Sequence, residues 1–489
     1  MTLTFQVIAI VAIAYYIALS MIYLGFTTVA WRGITDHLHG RSYAGAEEAF
    51  ASTLVPPISI LLPGYNEEAG IVESIHSLLS LRYPEFEVLV INDGSSDATL
   101  DRLRDAFELA PIHKALRESI PTAPVHGCYV ARHHPELIVI DKENGGKADA
   151  LNAGLNAARY PYVCAVDADA ILEPDALLRV AKPILDDPEL VAATGGIVRI
   201  VNGCRVEHGQ VVEVALPSSR LATLQVVEYF RAFLVGRMGW SRIGSLLIIS
   251  GAFGLFRRSV VEAVGGWSTE TVGEDVELVV RIHRHLRERG EPYSIAFVPD
   301  PVCWTEVPED LRTLSRQRRR WQRGLAQALW RHRAMFGRPR YGTLGLVAFP
   351  YFLVFELLGP VIEVIGLPVV LAATSTGQMS YTLLVAFLVV SVLLSALLSI
   401  AALALEEFSF RRHRHTRDVL RMLAFSIAEN CGYRQLVSFW RLLAFVDLLR
   451  GKRGWGTQNR LGLDRSAGHT PTGGDPVVQA GTSPPRGRA

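Results

Sequence analysis

Two carboxylates sit two residues apart, Asp167 and Asp169, at the end of the apolar run "YVCAVDAD" (162–169). So placed, they can hold one hard divalent ion, Mg2+ or Mn2+, with phosphate oxygens completing its shell. Upstream, "GGKADALN" sets Lys147 behind Gly145 and Gly146. The glycines let the backbone come close to an anion, the lysine adds a point charge, and the N-terminus of the following helix adds to that field. The chemistry indicated is the handling of a nucleotide diphosphate. Neither the P-loop pattern nor the G-x-G-x-x-G of a dinucleotide fold is present. A third concentration of chemistry is "RQRRRWQRG" (316–324), with five arginines and one tryptophan, in a chain of otherwise balanced charge (Lys+Arg 49, Asp+Glu 48). A solvated basic face, a helix on anionic lipid, nucleic-acid binding and a polyphosphate site would each account for it.

The elements that must position these groups alternate. Short apolar runs, "ISILLPGY" (58–65), "EVLVIND" (87–93), "LIVID" (137–141) and "YVCAVDAD" (162–169), read as buried parallel strands. Helical stretches at 66–81, 96–110 and 147–159 separate them, which predicts an α/β domain with a mostly parallel sheet over 55–335. Ligands of such sheets bind at the carboxyl ends of the strands. Those ends are polar in all four cases: Pro63 to Glu67, Asn92 to Ser96, Asn144 to Lys147, and Asp167 to Asp169. Any one of them reads as a turn or a helix cap; four at corresponding positions point to a site.

In their order across residues 58–324, these motifs resemble those of the membrane-embedded family-2 inverting glycosyltransferases, and in particular the processive synthases of cellulose, chitin, hyaluronan and poly-N-acetylglucosamine. A weaker likeness continues to about residue 463. The resemblance implies a GT-A fold and a UDP-sugar donor. It implies that Asp93 of "NDGSSD" contacts the base or ribose, with Tyr65 and Glu67 nearby, and that Lys147 contacts the diphosphate. Asp167 and Asp169 match the family's D-x-D, Asp169 being the direct metal ligand. "GED" (Gly273, Glu274, Asp275) matches the family's T-E-D, whose Asp is the general base; Gly273 departs from the usual Thr. "QRRRW" matches Q-x-x-R-W, so Gln317, Arg320 and Trp321 serve the acceptor and the diphosphate. Three and four residues apart, they share one helix face. Arg316, Arg319 and Arg323 form a neighbouring stripe expected to meet lipid headgroups. "GAFGLFRRSVVEAVGGW" (251–267) resembles the acceptor-side segment, with Trp267 either stacking on a sugar or lying in the core. "WGTQNR" (455–460) resembles a loop that closes over nucleotide, with Trp455 and Arg460 as its contacts; a basic loop touching lipid phosphates is the other reading.

Around the catalytic region the sequence is apolar. Residues 1–31 carry no Asp, Glu, Lys or Arg, residues 341–374 carry only Glu356 and Glu363, and residues 379–405 carry none. Each is long enough to cross a bilayer, which takes about 20 residues. The first run is too long for a signal peptide and no basic residue precedes it, so it reads as an uncleaved transmembrane helix. Arg32, Arg41 and "RRHRHTR" (411–417) follow spans and place the 55–335 domain in the cytoplasm, at the plasma membrane. The expected organisation is a helix in 1–31, the GT-A domain in 55–335, two transmembrane helices in 341–405, an interfacial or membrane helix with a gating loop in 418–463, and a disordered tail in 464–489. The helical run 418–450 carries Arg421, Glu429, Arg434, Arg441 and Asp447. It is expected either to lie in the interface or to cross with its polar face against protein or a sugar-filled channel. The stretch 224–240 resembles the amphipathic segment that these synthases lay on the membrane surface. Five scattered cysteines form no zinc or disulfide pattern.

The expected function is transfer of a sugar, N-acetylglucosamine first and glucose second, from its UDP donor to a growing β-linked polysaccharide, coupled to export. Polysaccharide or lipid acceptors, membrane lipids and accessory export or modifying proteins are the expected partners. A transferase making a short glycolipid and a nucleotide-binding membrane protein without turnover are the alternatives. Near-neutral charge with no broad basic surface excludes nucleic acid.

Overall fold

A computed structural model describes residues 2–39, 55–410 and 416–451. Twelve strands are present among them: β1 Ile58–Gly64, β2 Phe86–Asp93, β3 Leu109–Ile112, β4 Val125–Ala131, β5 Leu137–Lys142, β6 Tyr162–Val166, β7 Ile171–Leu172, β8 Val191–Ile200, β9 Arg205–Glu207, β10 Gln210–Glu213, β11 Phe253–Arg257 and β12 Ser294–Thr305. Ten form one mixed sheet in the order β3-β4-β5-β2-β1-β6-β11-β8-β12-β7, and β9 and β10 form a separate hairpin. The expected parallel sheet is its centre, β5-β2-β1-β6. These strands are apolar on both faces because helices cover both; every residue of β6 is buried. Antiparallel strands extend the sheet at both sides.

Register decides which loops meet. Gly64 pairs with Asn92, and Asp93 pairs with Lys142. The polar ends of β1, β2, β5 and β6 are therefore brought to one edge. The β1 and β2 ends are tied together further. Asn66 Oδ1 accepts from the Ser96 amide at 2.8 Å, and Glu68 Oε2 accepts from the Ala98 amide at 2.9 Å. The helix Lys147–Ala157 is almost wholly buried. It sits so close to the sheet that a Cβ on Gly154 would come within 2.9 Å of Ile91.

Apolar helices flank the domain on both sides in sequence. Phe5–Asp36 and Tyr381–Phe410 are each long and apolar enough to cross a membrane. Leu344–Leu357 and Gly359–Ser375, bent by 44°, make a third candidate if they count as one span. The N-terminal helix joins the later ones through aromatic contacts, including Tyr15 stacked on Phe355 at 5.3 Å. The stretch 224–240 forms the end of a helix, Arg220–Tyr229, a π-helical turn, Phe230–Arg237, and the start of a third piece, Met238–Arg242. Its apolar residues pack on the N-terminal helix, with Trp240 edge-on to Phe26 at 4.9 Å.

The charged run 418–450 is two helices, Thr416–Ala428 and Arg434–Leu449, broken at Cys431 and Gly432. Its polar face is turned to protein. Arg434 pairs with Glu363 at 2.6 Å, Glu429 with Arg231 at 2.7 Å, and Asp447 with Arg319 at 2.6 Å. Charges on an otherwise apolar helix need such partners.

Candidate active site

A cavity of about 2430 Å³ opens at the carboxyl ends of β1, β2 and β6, and its lining reaches the apolar helices at Tyr23 and Phe352 and the charged helix Arg434–Leu449 at Arg441. It gathers most of the expected residues. Tyr65, Glu67 and Asp93 line it from the first two loops, Lys147 from the helix after β5, and Asp167 and Asp169 from the end of β6. Glu274 and Asp275 enter at the start of the helix Glu274–Arg289. Gln317, Arg320 and Trp321 enter from the helix Leu311–Arg331. Trp455 and Arg460 lie outside the described residues.

The charges meet at Lys147. Its Nζ lies 2.5 Å from Asp167 and 3.4 Å from Glu274, and it donates to the Gly251 carbonyl at 3.4 Å. Burial pulls the Lys147 ammonium down, but the carboxylates of Asp167, Glu274 and Asp275 outweigh that and hold it above its ordinary range. Glu274, 4% exposed, is pushed up to about 7 by burial; Lys147 opposes the rise and the Asp275 charge adds to it. Asp275 accepts from the Gly251 amide at 3.2 Å and from the Val276 amide at 2.8 Å. Two backbone donors at a helix start hold its carboxylate in place.

Asp93 is 2% exposed, and its carboxylate accepts from the Gly145 amide at 3.0 Å, the Gly146 amide at 2.7 Å and Lys142 Nζ at 2.7 Å. The group thus braces the glycine loop that carries Lys147, and it also lines the cavity. Lys142 is fully buried and also pairs with Asp149 at 2.6 Å. Sequence reasoning passed over this lysine. Its signal was a charge ending the apolar strand "LIVIDK", where burial demands two carboxylates.

Two expectations are corrected. Trp267 lies outside the cavity lining; it is 3% exposed, edge-on to Phe256 at 6.1 Å, with its amide donating to Asn152 Oδ1 at 2.7 Å. It is a core residue, the second of the two readings. The stripe Arg316, Arg319 and Arg323 does not face lipid as a unit. Arg319 makes two hydrogen bonds to Asp447, at 2.7 and 2.6 Å, and Arg323 is buried. The helix Arg434–Leu449 covers that face. Arg318, singled out by nothing in the sequence, is buried, pairs with Glu228 at 2.8 Å and stacks on Trp321 at 4.4 Å. It fixes the indole at the cavity edge, where Trp321 remains 43% exposed.

Gly273 is explained by contact. A Cβ there would lie 2.8 Å from the Gly324 Cα, and one on Gly324 would lie 2.8 Å from the Gly273 Cα. The helix that begins with Glu274 and Asp275 therefore rests backbone to backbone on the basic helix. Gly273→Thr, which restores the family's usual residue, is expected to destabilise the protein by about 1–3 kcal/mol and to lower transfer as the two helices part. Unfolding midpoints and rates of the variant check this; an unchanged midpoint would show that the contact is not needed.

Asp167 and Asp169 supply hard oxygen donors and nothing softer, and no group of three or more His, Cys, Asp or Glu side chains able to hold a metal converges among the described residues. Two carboxylates with the rest of the shell left to phosphate and water fit Mg2+ or Mn2+.

A mixed sheet with a parallel centre, a carboxylate pair at its strand ends and a lysine-bearing glycine loop beside it make a GT-A-like domain. Residues 59–265 match the model of Glycosyl transferase family 2. The chain is similar to the poly-beta-1,6-N-acetyl-D-glucosamine synthase of Staphylococcus aureus (strain COL), 34% identical over 303 residues that cover 61% of this chain and 60% of that one. The synthase of the same name from Staphylococcus epidermidis is 33% identical over 279 residues, covering 57% and 56%. The chain thus spans at most 60% of the length of these relatives. Among solved structures, the mannosyltransferase PcManGT from Pyrobaculum calidifontis, in complex with GDP-Man and Mn2+, superposes with a TM-score of 0.49 at 19% identity, covering 86% of this chain and 99% of that one.

Proposed function

We propose that the chain is a processive, inverting synthase that transfers N-acetylglucosamine from its UDP donor to a β-linked polysaccharide and feeds the product into the membrane. One observation carries the reading. A single cavity is lined both by the strand-end carboxylates and by the apolar helices, so one space can hold the donor, the acceptor end and the start of an exit path. The name of the staphylococcal relatives supports the choice of sugar.

In this reading Tyr65 and Glu67 border the nucleoside, and Lys147 and Arg320 face the diphosphate. Asp275 takes the proton of the acceptor hydroxyl as that oxygen attacks the anomeric carbon from the face opposite UDP. The new C–O bond forms as the bond to the diphosphate oxygen breaks, the proton rests on the Asp275 carboxylate, and UDP leaves. Trp321 offers a flat face to the acceptor sugar. Asp169 and Asp167 would hold a divalent ion, Mg2+ or Mn2+, which supplies Lewis acidity at the leaving diphosphate. The catalytic domain faces the cytoplasm.

Membranes containing the chain, given one labelled UDP-sugar from a panel, are expected to make a long polymer from UDP-N-acetylglucosamine. A product of one or two sugars on lipid would replace the processive reading with that of a glycolipid transferase.

A further inference from the structure

Arg237 ends the π-helical turn Phe230–Arg237 and lines the cavity. Its guanidinium stands 3.6 Å over the Phe233 ring. Among the described residues it donates no hydrogen bond and makes no ion pair, and its Nη1 is buried. Burial brings it down to about 10, with the Asp275 carboxylate opposing the fall, so it stays a cation at neutral pH. A partly buried cation whose inner nitrogen has no hydrogen-bond partner is costly, and π-turns concentrate at functional sites. Both facts point to a ligand.

The surroundings identify which ligand. Trp240, one helical turn on, touches Phe26 at 4.9 Å, Tyr351 at 4.8 Å and Phe352 at 5.4 Å. Arg237 therefore lies on the side of the cavity walled by the apolar helices, where the reading above puts the acceptor. The other arginines around that side are already neutralised. Arg318 pairs with Glu228 at 2.8 Å, Arg441 with Glu356 at 3.2 Å, and Arg231 with Glu429 at 2.7 Å. Asp275 also lines the cavity, and its charge acts on Arg237 and would repel a phosphate that only this cation held. A neutral molecule rich in oxygen acceptors, with an apolar face for the aromatic wall, suits one guanidinium beside Phe233 and Trp240.

We propose that Arg237 is an acceptor-binding residue, donating to hydroxyl or acyl oxygens of the terminal sugar of the receiving chain. This rests on the reading of the cavity as a sugar-transfer site. It adds a contact that is independent of Trp321, on a cation that feels the charge of Asp275.

The test uses the full chain in nanodiscs. Binding of a short β-linked N-acetylglucosamine oligosaccharide is followed by tryptophan fluorescence, and UDP binding by calorimetry, in the wild type, Arg237→Met and Arg237→Lys. A hydrogen bond from a charged group is worth about tenfold to a hundredfold in affinity. Arg237→Met is therefore expected to weaken oligosaccharide binding by at least about tenfold, to leave UDP binding within about twofold, and to raise the acceptor KM without moving the donor KM; Arg237→Lys recovers part of the loss. Unchanged oligosaccharide binding would overturn the proposal. So would a loss of UDP binding, which moves Arg237 to the donor side, or competition by inorganic phosphate that the Met variant abolishes, which makes it an anion site. Because binding is read without turnover, failure of the wild type to transfer from any UDP-sugar would count against the proposed reaction and would be seen separately.

Discussion

Asp275→Asn is expected to lower kcat by about 10²–10⁴-fold and to leave UDP binding nearly intact. The asparagine keeps the shape of the side chain, and its carbonyl oxygen can still accept from the Gly251 amide, now 3.2 Å from the carboxylate. What it loses is the capacity to take a proton. The nucleotide side is spared, because Tyr65 and the glycine loop that carries Lys147 do not bond to Asp275. One adjustment is foreseen. Asp275 is among the carboxylates that hold the Lys147 ammonium up, after Asp167 and Glu274, so its neutralisation takes away only a smaller part of that support. Labelled-sugar transfer and UDP calorimetry on the same preparation separate the two effects. Transfer that persists at the wild-type rate would show that another group is the base.

The second large effect is expected at Lys142. Its ammonium is fully buried and bridges Asp93 at 2.7 Å and Asp149 at 2.6 Å, while donating to the Glu143 carbonyl at 2.5 Å. Lys142→Met removes the cation and leaves two carboxylates facing each other in a dry site. Breaking a buried pair in this way costs about 3–5 kcal/mol. The loss is expected to reach function through Asp93, which holds the Gly145 and Gly146 amides; UDP affinity should fall along with stability. Asp149→Asn on top of Lys142→Met removes one of the opposed charges and is expected to recover part of the loss, since residues in one network do not act additively. Unfolding in detergent across wild type, both single variants and the double variant measures the coupling. Independent, additive effects would show that the three groups do not act together.

Much of the site was legible because its signals are local. A strand buried on both faces is written as a run such as "YVCAV", and its end as the first polar residues after it. The edge carrying Asp93, Lys147, Asp167 and Asp169 could therefore be placed from the order of residues alone. The D-x-D spacing and the glycines before Lys147 are equally short-range. The face shared by Gln317, Arg320 and Trp321 follows from helical period alone. The antiparallel extensions β3 and β4 were less legible, because Leu109–Ile112 carries no run of buried residues to mark it as a strand.

Sequence by itself therefore determined the type of domain, the edge of the sheet that holds the chemistry, and the apolar stretches that flank it. These depend on period and on the order of neighbours along the chain. Tertiary structure decided the partners. Arg319 could be assigned to lipid until the helix Arg434–Leu449 brought Asp447 to 2.6 Å from it. Trp267 could stack on a sugar until the core closed around it. Asp93 was one strand-end carboxylate among four until Lys142 and the glycine amides were found on its oxygens. Gly273 was a departure from a motif until Gly324 came within contact of its backbone. A buried charge must be neutralised and a close approach must be left clear, but which group does either is fixed only when distant helices pack. No local pattern carries that information.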